Sequence, residues 1–228
     1  MIQNAGKGAD GMLEKIDLTK KMDKKTYKER MEELEPRMAL LQRELKSKGV
    51  PVMIVFEGFG AAGKGTQINR LIQTLDPRGF TVYSTDAETK EERLHPFLWR
   101  FWTKTPEKGR IAVFDRSWYR KLLVDRFEKK TPQEEVPTIL EDINIFEKQL
   151  TDGGTLIIKF FLDISKHEQK KRFKKLRDNK ATKWRVTEED LDRNKHFGDY
   201  FRMADEMLIK TDSEYAPWTV IEAEDDNF

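Results

Sequence analysis

The sequence predicts an α/β fold in which a parallel sheet of about five strands carries helices on both faces. Short apolar runs rich in Val, Ile and Phe alternate with stretches whose apolar residues recur at helical spacing. Nearly continuous apolar strands are typical of a parallel sheet that helices cover on both sides. The five predicted strands are residues 52–56, 80–84, 110–115, 155–164 and 217–224.

An amphipathic helix is predicted before the first strand, over residues 26–48, because apolar side chains recur there every three or four positions. Pro36 lies inside this pattern, and we expect it to kink or split the helix. Residues 1–25 are expected to form a flexible N-terminal segment. Residues 26–228 then form a single domain.

Helical patterns also follow the first four strands. They begin after Lys64, span His95–Thr103, begin after Ser117, and span Val136–Leu150 and Ser165–Arg177. The last apolar run ends near residue 224, and we expect that a closing helix of the domain lies outside this sequence.

Composition limits the classes of partner. The chain has 43 Lys and Arg against 41 Asp and Glu, a net charge of +2, so its total charge gives no support for binding to nucleic acid or to a membrane surface. It has no cysteine, no apolar run near the roughly 20 residues of a membrane helix, and no signal-peptide pattern. We therefore expect a cytoplasmic protein.

The stretch EGFGAAGKGTQ, residues 57–67, joins the first strand to a helix and contains the pattern G-x-x-x-x-G-K. Glycines at such a junction let backbone N–H groups converge on phosphate oxygens, and the lysine reaches the outer phosphates. The alternative is a tight glycine turn with a surface lysine. The predicted phosphate-binding residues here are Gly58, Gly60, Ala61, Ala62, Gly63, Lys64, Gly65 and Thr66.

The loop departs from the strict P-loop pattern after its lysine. Gly65 stands where Ser or Thr would offer a hydroxyl to magnesium, and Thr66 comes one residue later. The ending GKGT resembles that of adenylate kinases. An ATP-dependent nucleoside monophosphate kinase is therefore one alternative function.

A second motif, FDRSWY, follows the third predicted strand. Asp115 stands at the carboxyl end of that strand, where P-loop enzymes place a carboxylate that orients Mg²⁺. Arg116 beside it can grip a phosphate. The alternative is that Asp115 caps the helix that begins near Ser117.

Nine cationic residues lie between positions 170 and 185. A solvated helix face explains some of them, but such density is typical of a segment that meets a polyanion. Because residues 179–182 break the helical pattern, we predict a mobile lid over about 170–190. Beyond Trp184 the sequence shows no stacking platform and no recognised nucleic-acid module, so a phosphate chain is favoured over nucleic acid.

Six short segments together resemble the second family of polyphosphate kinases: FEGFGAAGKGT, LDPRGF, LWRFW, FDRSWY, KRF…KWR and YAPW. The resemblance implies a three-layer P-loop kinase fold with a helical lid. It also implies Mg²⁺ as cofactor, inorganic polyphosphate and AMP or ADP as substrates with ATP as a product, and assembly into dimers or tetramers.

The resemblance also implies roles for single residues. Lys64, Asp115, Arg116 and Arg172 are expected to be catalytic, and Asp115 to hold the metal. Lys183 and Arg185 are expected to bind polyphosphate from the lid. The predicted nucleotide-binding residues are Asp86, Glu88, Arg100 and Arg116. Because His95, His167 and His196 lie outside these motifs, no phosphohistidine intermediate is expected.

One position differs from the family pattern: Gly60 stands where the family has an aspartate that is treated as catalytic. Two interpretations follow. In the first, Asp115 and bound water hold the metal and the chain is an active kinase. In the second, the chain is a catalytically weakened domain that binds phosphates and supports a partner, such as a second copy of the domain. Glu57 is a candidate substitute for the missing carboxylate.

Overall fold

The computed structural model describes residues 11–227, and within them the five predicted strands form one parallel sheet. The strands are β1 (Val52–Gly58), β2 (Phe80–Ser84), β3 (Ile111–Asp115), β4 (Leu156–Asp163) and β5 (Trp218–Glu222). All neighbours pair in parallel, in the order β2-β3-β1-β4-β5. The predicted α/β fold class is confirmed.

Eight α-helices accompany the sheet in this part of the chain. They are α1 (Lys24–Lys48), α2 (Lys64–Gln73), α3 (Trp99–Trp102), α4 (Val124–Phe127), α5 (Val136–Asp152), α6 (Lys166–Asp178), α7 (Glu188–Lys195) and α8 (Phe197–Thr211). The connections β1–β2 and β3–β4 run in opposite directions across the sheet, so right-handed crossovers place α2 and α5 on opposite faces. Within residues 11–227, every helix is too short or too polar to span a bilayer.

Strand order determines where a ligand can bind. β1 lies at the centre, with β3 on one side and β4 on the other, and the chain leaves β1 towards β2 but leaves β3 towards β4. Such a reversal opens a crevice at the carboxyl ends of the strands. The loop 57–67 and Asp115 both lie at this edge of the sheet.

The N-terminal region differs from the prediction of a flexible segment over residues 1–25. Leu13 is buried in the core, and its N–H donates a hydrogen bond to Asp205 on α8 (2.8 Å). α1 begins at Lys24 because Asp23 caps it, accepting hydrogen bonds from the N–H groups of Lys25 and Thr26. Residues 1–10 of the predicted segment lie outside the described residues.

Several helix predictions are corrected. α1 is continuous through Pro36 rather than split. The helix predicted over His95–Thr103 is reduced to the single turn α3, because Pro96 favours an extended His95 (φ −119°, ψ 159°). The helix predicted after Ser117 is a 3₁₀ turn, Trp118–Lys121, followed by the short α4. The helices α7 and α8 were not predicted.

A charged network lies inside the core between α5, β4 and the turn after β3. The Lys159 Nζ donates hydrogen bonds to Glu147 Oε2 (2.8 Å), to Tyr119 Oη (3.0 Å) and to the Thr211 carbonyl (2.8 Å). Glu147 Oε1 also accepts from Trp118 Nε1 (3.0 Å) and from Tyr119 Oη (2.5 Å). The side chains of Lys159 and Glu147 are fully buried, so each charge is compensated by the other, and removal of one would leave the other uncompensated.

Candidate phosphate-binding site

The loop after β1 has the backbone of an anion cradle. Gly58 has φ +136°, and a Cβ there would lie 2.4 Å from the Leu162 carbonyl oxygen of β4, so only glycine fits. Gly63 has φ +100°, and no atom lies within 4 Å of where its Cβ would be. The first N–H groups of α2 have no acceptor inside the helix and can receive an anion.

Lys64 folds back over this loop. Its Nζ donates hydrogen bonds to the carbonyl oxygens of Gly58 (2.8 Å) and Phe59 (3.1 Å). Burial lowers the pKa of Lys64 to about 8, and the positive charge of Arg116 acts in the same direction. The negative charges that oppose this shift belong to Asp115, Glu57 and Asp190. Lys64 is therefore cationic at neutral pH and surrounded by both signs of charge.

Asp115 and Arg116 meet the loop from the adjacent strand. Asp115 ends β3 opposite Phe56 of β1, and the Arg116 N–H donates to the Phe56 carbonyl (3.0 Å). Neither side chain has a hydrogen bond or ion pair within residues 11–227, so both are free to meet a ligand. Arg116 also adopts φ +60°, a strained backbone that clusters at functional sites.

The alternative interpretation of Asp115 as a helix cap is wrong. Ser117 is the capping residue, and its side chain accepts a hydrogen bond from the Tyr119 N–H. The Asp115 carboxylate is thereby left for another partner.

The donors at this edge of the sheet suit Mg²⁺ bound together with phosphate. Residues 11–227 contain no group of three or more His, Asp or Glu side chains arranged for a metal. Mg²⁺ usually takes one or two carboxylates and completes its shell with water and substrate phosphates. Asp115 supplies such a carboxylate, and the exposed hydroxyl of Thr66 lies in the first turn of α2.

The Glu57 carboxylate makes structural hydrogen bonds and is not available to a metal. Its side chain is buried, and its Oε1 accepts hydrogen bonds from the Ser117 N–H (2.7 Å) and hydroxyl (2.9 Å). Burial raises the pKa of Glu57, while the charge of Lys64 opposes the increase. These contacts join β1 to the FDRSWY turn and do not favour Glu57 as a substitute for the missing loop carboxylate.

The predicted lid cations lie in two different settings. Arg172 on α6 lies against the cradle: it donates to the Ala61 carbonyl (3.2 Å) and to the carbonyls of Ala223 (2.8 Å) and Glu224 (2.9 Å). Lys183 and Arg185 are exposed on the turn between α6 and α7 and make no ion pair in the described part of the chain. The predicted break at residues 179–182 follows the end of α6 at Asp178.

The predicted nucleotide-binding residues Asp86, Glu88 and Arg100 lie at the β2 side of the sheet. Asp86 and Glu88 follow β2 at the outer end of the crevice, and Asp86 is exposed. Arg100 is buried, where its Nε lies 3.2 Å from Glu92 Oε1 and it donates to the Asp86 carbonyl (3.2 Å). Glu92 and the Asp86 carbonyl are thus the partners of Arg100 in this structure.

Three side chains fill the space around Gly60. A Cβ at this position would lie 3.1 Å from Phe173 Cζ on α6, 3.5 Å from Asp190 Oδ1 on α7 and 3.5 Å from Gln169 Nε2. Burial raises the pKa of Asp190, but hydrogen bonds from Arg193 and the Thr187 amide and nearby positive charges outweigh it, so the net shift is downward. Asp190 therefore places a carboxylate beside the loop at the position that lacks one.

The sequence interpretation missed two carboxylates near the site. Asp190 is signalled only by the spacing T-E-E-D, a capping box in which Thr187 and Asp190 bond reciprocally at the start of α7. Asp163 ends β4 and is buried, with no partner for its Oδ1 in this part of the chain. Burial and the charges of Glu224 and Glu222 raise the pKa of Asp163 to about 7.

The family model described as Polyphosphate kinase 2 (PPK2) matches residues 21–228. The chain belongs to the polyphosphate kinase 2 family. This membership confirms the resemblance drawn from the loop, the FDRSWY turn and the basic segment.

Individual PPK2 proteins support the match at the level of sequence and structure. The chain is 38% identical over 218 residues to a polyphosphate:AMP phosphotransferase of Pseudomonas aeruginosa, covering 96% of this chain and 44% of that protein. It is 35% identical to an AMP/ADP-polyphosphate phosphotransferase of Meiothermus ruber, covering 83% and 72%. A polyphosphate kinase 2 crystal structure from P. aeruginosa has a TM-score of 0.91 at 37% identity, covering 95% and 46%.

The chain spans less than half the length of the Pseudomonas phosphotransferase. The fold and the family of the chain follow from these comparisons.

Substitution of Gly60 by aspartate tests the crowding at this position. We expect Gly60→Asp and Gly60→Ala each to destabilise the protein by about 1–3 kcal/mol, because both bring a Cβ against Phe173. In Mg²⁺-free buffer the Asp variant should unfold at a lower temperature than the Ala variant, since its carboxylate lies near Asp190. Added Mg²⁺ should raise the unfolding temperature of the Asp variant alone. An equal response of both variants to Mg²⁺ would show that the two carboxylates do not interact.

Proposed function

We propose that this chain is a polyphosphate-dependent nucleotide kinase, which reversibly transfers a phosphoryl group between inorganic polyphosphate and AMP or ADP, with ATP as the product from ADP. The observation that carries the proposal is the meeting of Lys64, Asp115 and Arg116 beside an open glycine cradle. Membership of the PPK2 family and relatives named for this reaction support it.

Phosphoryl transfer requires this site mainly to position the donor and acceptor phosphates and to stabilise the negative charge of the transition state. An oxygen of the acceptor phosphate attacks the terminal phosphorus of polyphosphate, and the bond to the shortened chain breaks. The amides of the loop and Lys64 hold the phosphates, while Arg116 neutralises the negative charge on the oxygens of the phosphoryl group that is being transferred. Asp115 would hold Mg²⁺, which when bound neutralises charge on adjacent phosphates.

Gly60 favours a second candidate function, a domain that binds phosphates without turnover. The family aspartate is absent from the loop, and a Cβ at this position would press on Phe173 and lie in contact with Asp190. Loss of one preorganised charge costs about 10²–10³ in rate in comparable sites. The ATP-dependent kinase suggested by GKGT is the third candidate, and it differs in its phosphoryl donor.

The cellular location and the oligomeric state of the protein stay predictions. The composition predicts a cytoplasmic protein that does not bind nucleic acid, and the family resemblance predicts a homo-oligomer. Oligonucleotide binding that survives physiological salt would contradict the assignment of the basic segment to polyphosphate.

The donor and the lid are tested together by Lys183→Gln/Arg185→Gln. We expect polyphosphate, and not ATP, to drive phosphorylation of AMP. The double variant should lose about tenfold or more in kcat/KM for polyphosphate, because two exposed cations no longer meet the phosphate chain. ADP binding, measured by calorimetry, should change less than about threefold.

The matched control is Arg43→Gln/Lys46→Gln, which removes two exposed cations from α1. Equal losses of polyphosphate use and ADP binding in the lid variant would mean that these residues are misassigned. Turnover of AMP with ATP as the only effective donor would instead support the nucleoside monophosphate kinase.

A further inference from the structure

Two buried amide side chains connect α7 to the phosphate loop. Asn194 Nδ2 on α7 donates to Gln169 Oε1 on α6 (2.8 Å), and Gln169 Nε2 donates to the Gly60 carbonyl (3.1 Å). Asn194 Nδ2 also donates to the Lys166 carbonyl (3.2 Å). Gln169 is 3% exposed and Asn194 is 8% exposed, so water does not compete readily for these bonds.

The bond to Gly60 fixes the direction of a peptide plane in the cradle. In a trans peptide the C=O of Gly60 and the N–H of Ala61 point in opposite directions, so holding one sets the other. Arg172 holds the next carbonyl, that of Ala61, in the same way (3.2 Å). α6 thus anchors two successive carbonyls and turns the N–H of Ala61 away from itself.

α7 is well placed to transmit a change to this loop. It follows the exposed cations Lys183 and Arg185 after a short connection, and it also carries Asp190 beside Gly60. Arg193 on α7 pairs with Asp190 within the same helix (2.7 Å) and connects α7 to Glu128, the residue just after α4 (2.9 Å). A shift of α7 would therefore move both Asn194 and Asp190 relative to the loop.

We propose that Gln169 is a positioning residue for phosphoryl transfer: through the relay Asn194–Gln169–Gly60, the position of α7 sets the orientation of the loop amides that receive phosphate. This inference rests on the proposed function for its consequence in catalysis. The relay itself is testable by phosphate binding and by the loop's own spectroscopic signals.

The test uses Gln169→Glu in the full chain, with Gln149→Glu, an exposed position on α5, as the matched control. The new side chain keeps its shape and still accepts from Asn194, but as a carboxylate it cannot donate to Gly60. At pH 7.5 we expect displaced ¹⁵N–¹H signals for Gly60 and Ala61 and about tenfold weaker tripolyphosphate binding. At pH 5 the protonated side chain donates again, and binding should return to within about twofold of the unaltered protein.

Comparison with the unaltered protein at each pH removes the titration of the other charged groups around the loop, which are Asp115, Asp190, Glu57, Lys64, Arg116, Arg172 and Glu168. Loop signals and binding that are unchanged at pH 7.5 would overturn the relay. So would a deficit that persists unchanged at pH 5 in a protein with native circular dichroism.

A second variant guards against misfolding at position 169. Asn194→Ala removes a side chain whose hydrogen bonds go to Gln169 and to the Lys166 carbonyl, yet the relay requires the Gly60 and Ala61 signals to move. Unmoved signals would refute the relay.

Because none of these readouts needs turnover, a protein that binds tripolyphosphate but fails to phosphorylate AMP or ADP would refute the proposed function and leave the relay tested. In an active protein, Gln169→Glu should lower kcat about tenfold at pH 7.5 with less than threefold change in KM for the nucleotide.

Discussion

Lys64→Met is expected to lower the initial rate of polyphosphate-driven nucleotide phosphorylation by about 10²–10³. The Lys64 ammonium lies in the cradle, where it donates hydrogen bonds to the Gly58 and Phe59 carbonyls. A bound phosphate would replace these carbonyls as its partner. Lys108→Met, an exposed position before β3, is the control and should keep full activity. A Lys64→Met protein that retains native circular dichroism and more than a tenth of the activity would show that the cradle lysine does not support the reaction.

The same lysine predicts a pH dependence. Because burial and Arg116 lower its pKa to about 8 in the free protein, Lys64 loses its charge as pH rises through 8. We expect kcat/KM for polyphosphate to fall above pH 8, about tenfold for each further pH unit. A profile that stays flat to pH 9.5 would contradict a catalytic requirement for this cation.

Lys159→Met is expected to reduce the free energy of unfolding by about 3–5 kcal/mol. The substitution leaves the Glu147 carboxylate buried without its cation, although Trp118 and Tyr119 still donate to it. Urea unfolding followed by circular dichroism measures the loss. The midpoint should fall while the slope of the transition stays unchanged.

The control for this effect is Lys159→Met/Glu147→Gln. A neutral amide still accepts from Trp118 and Tyr119 but carries no uncompensated charge, so the double variant should be more stable than the single variant. A single variant that loses less than about 1 kcal/mol would mean that Glu147 takes up a proton at little cost, or that water reaches it.

The sheet and the cradle could be predicted because their signals are local. The apolar run that becomes Val52–Gly58 leads directly into the glycines of the loop, and the FDRSWY turn leads directly out of β3. Parallel pairing then brings the two carboxyl ends together, since Phe56 stands opposite Asp115. Local chemistry and topology agree at this edge.

Contacts between distant parts of the chain could not be predicted. Gln169 bonds to Gly60 across a sequence separation of 109 residues, and Arg172 bonds to the Ala61 carbonyl across 111. Neither contact produces a recognisable pattern in the sequence. Arg100 stands among aromatic residues in the sequence, but its ion pair with Glu92 becomes visible only in the fold. The helix α8, in contrast, had a readable signal: its buried residues Tyr200, Ala204, Met207, Leu208 and Thr211 recur at helical spacing.

The most direct test of the proposed kinase is a ³¹P NMR time course of the purified protein with Mg²⁺, polyphosphate and either AMP or ADP. Growth of the β-phosphate signal of ADP, or of the γ-phosphate signal of ATP, is the predicted result and identifies the acceptor. It would also show that the cradle works with Gly60 in the loop. No signal from the unaltered protein, together with turnover by Gly60→Asp, would contradict the proposal and identify a phosphate-binding domain that the glycine has silenced.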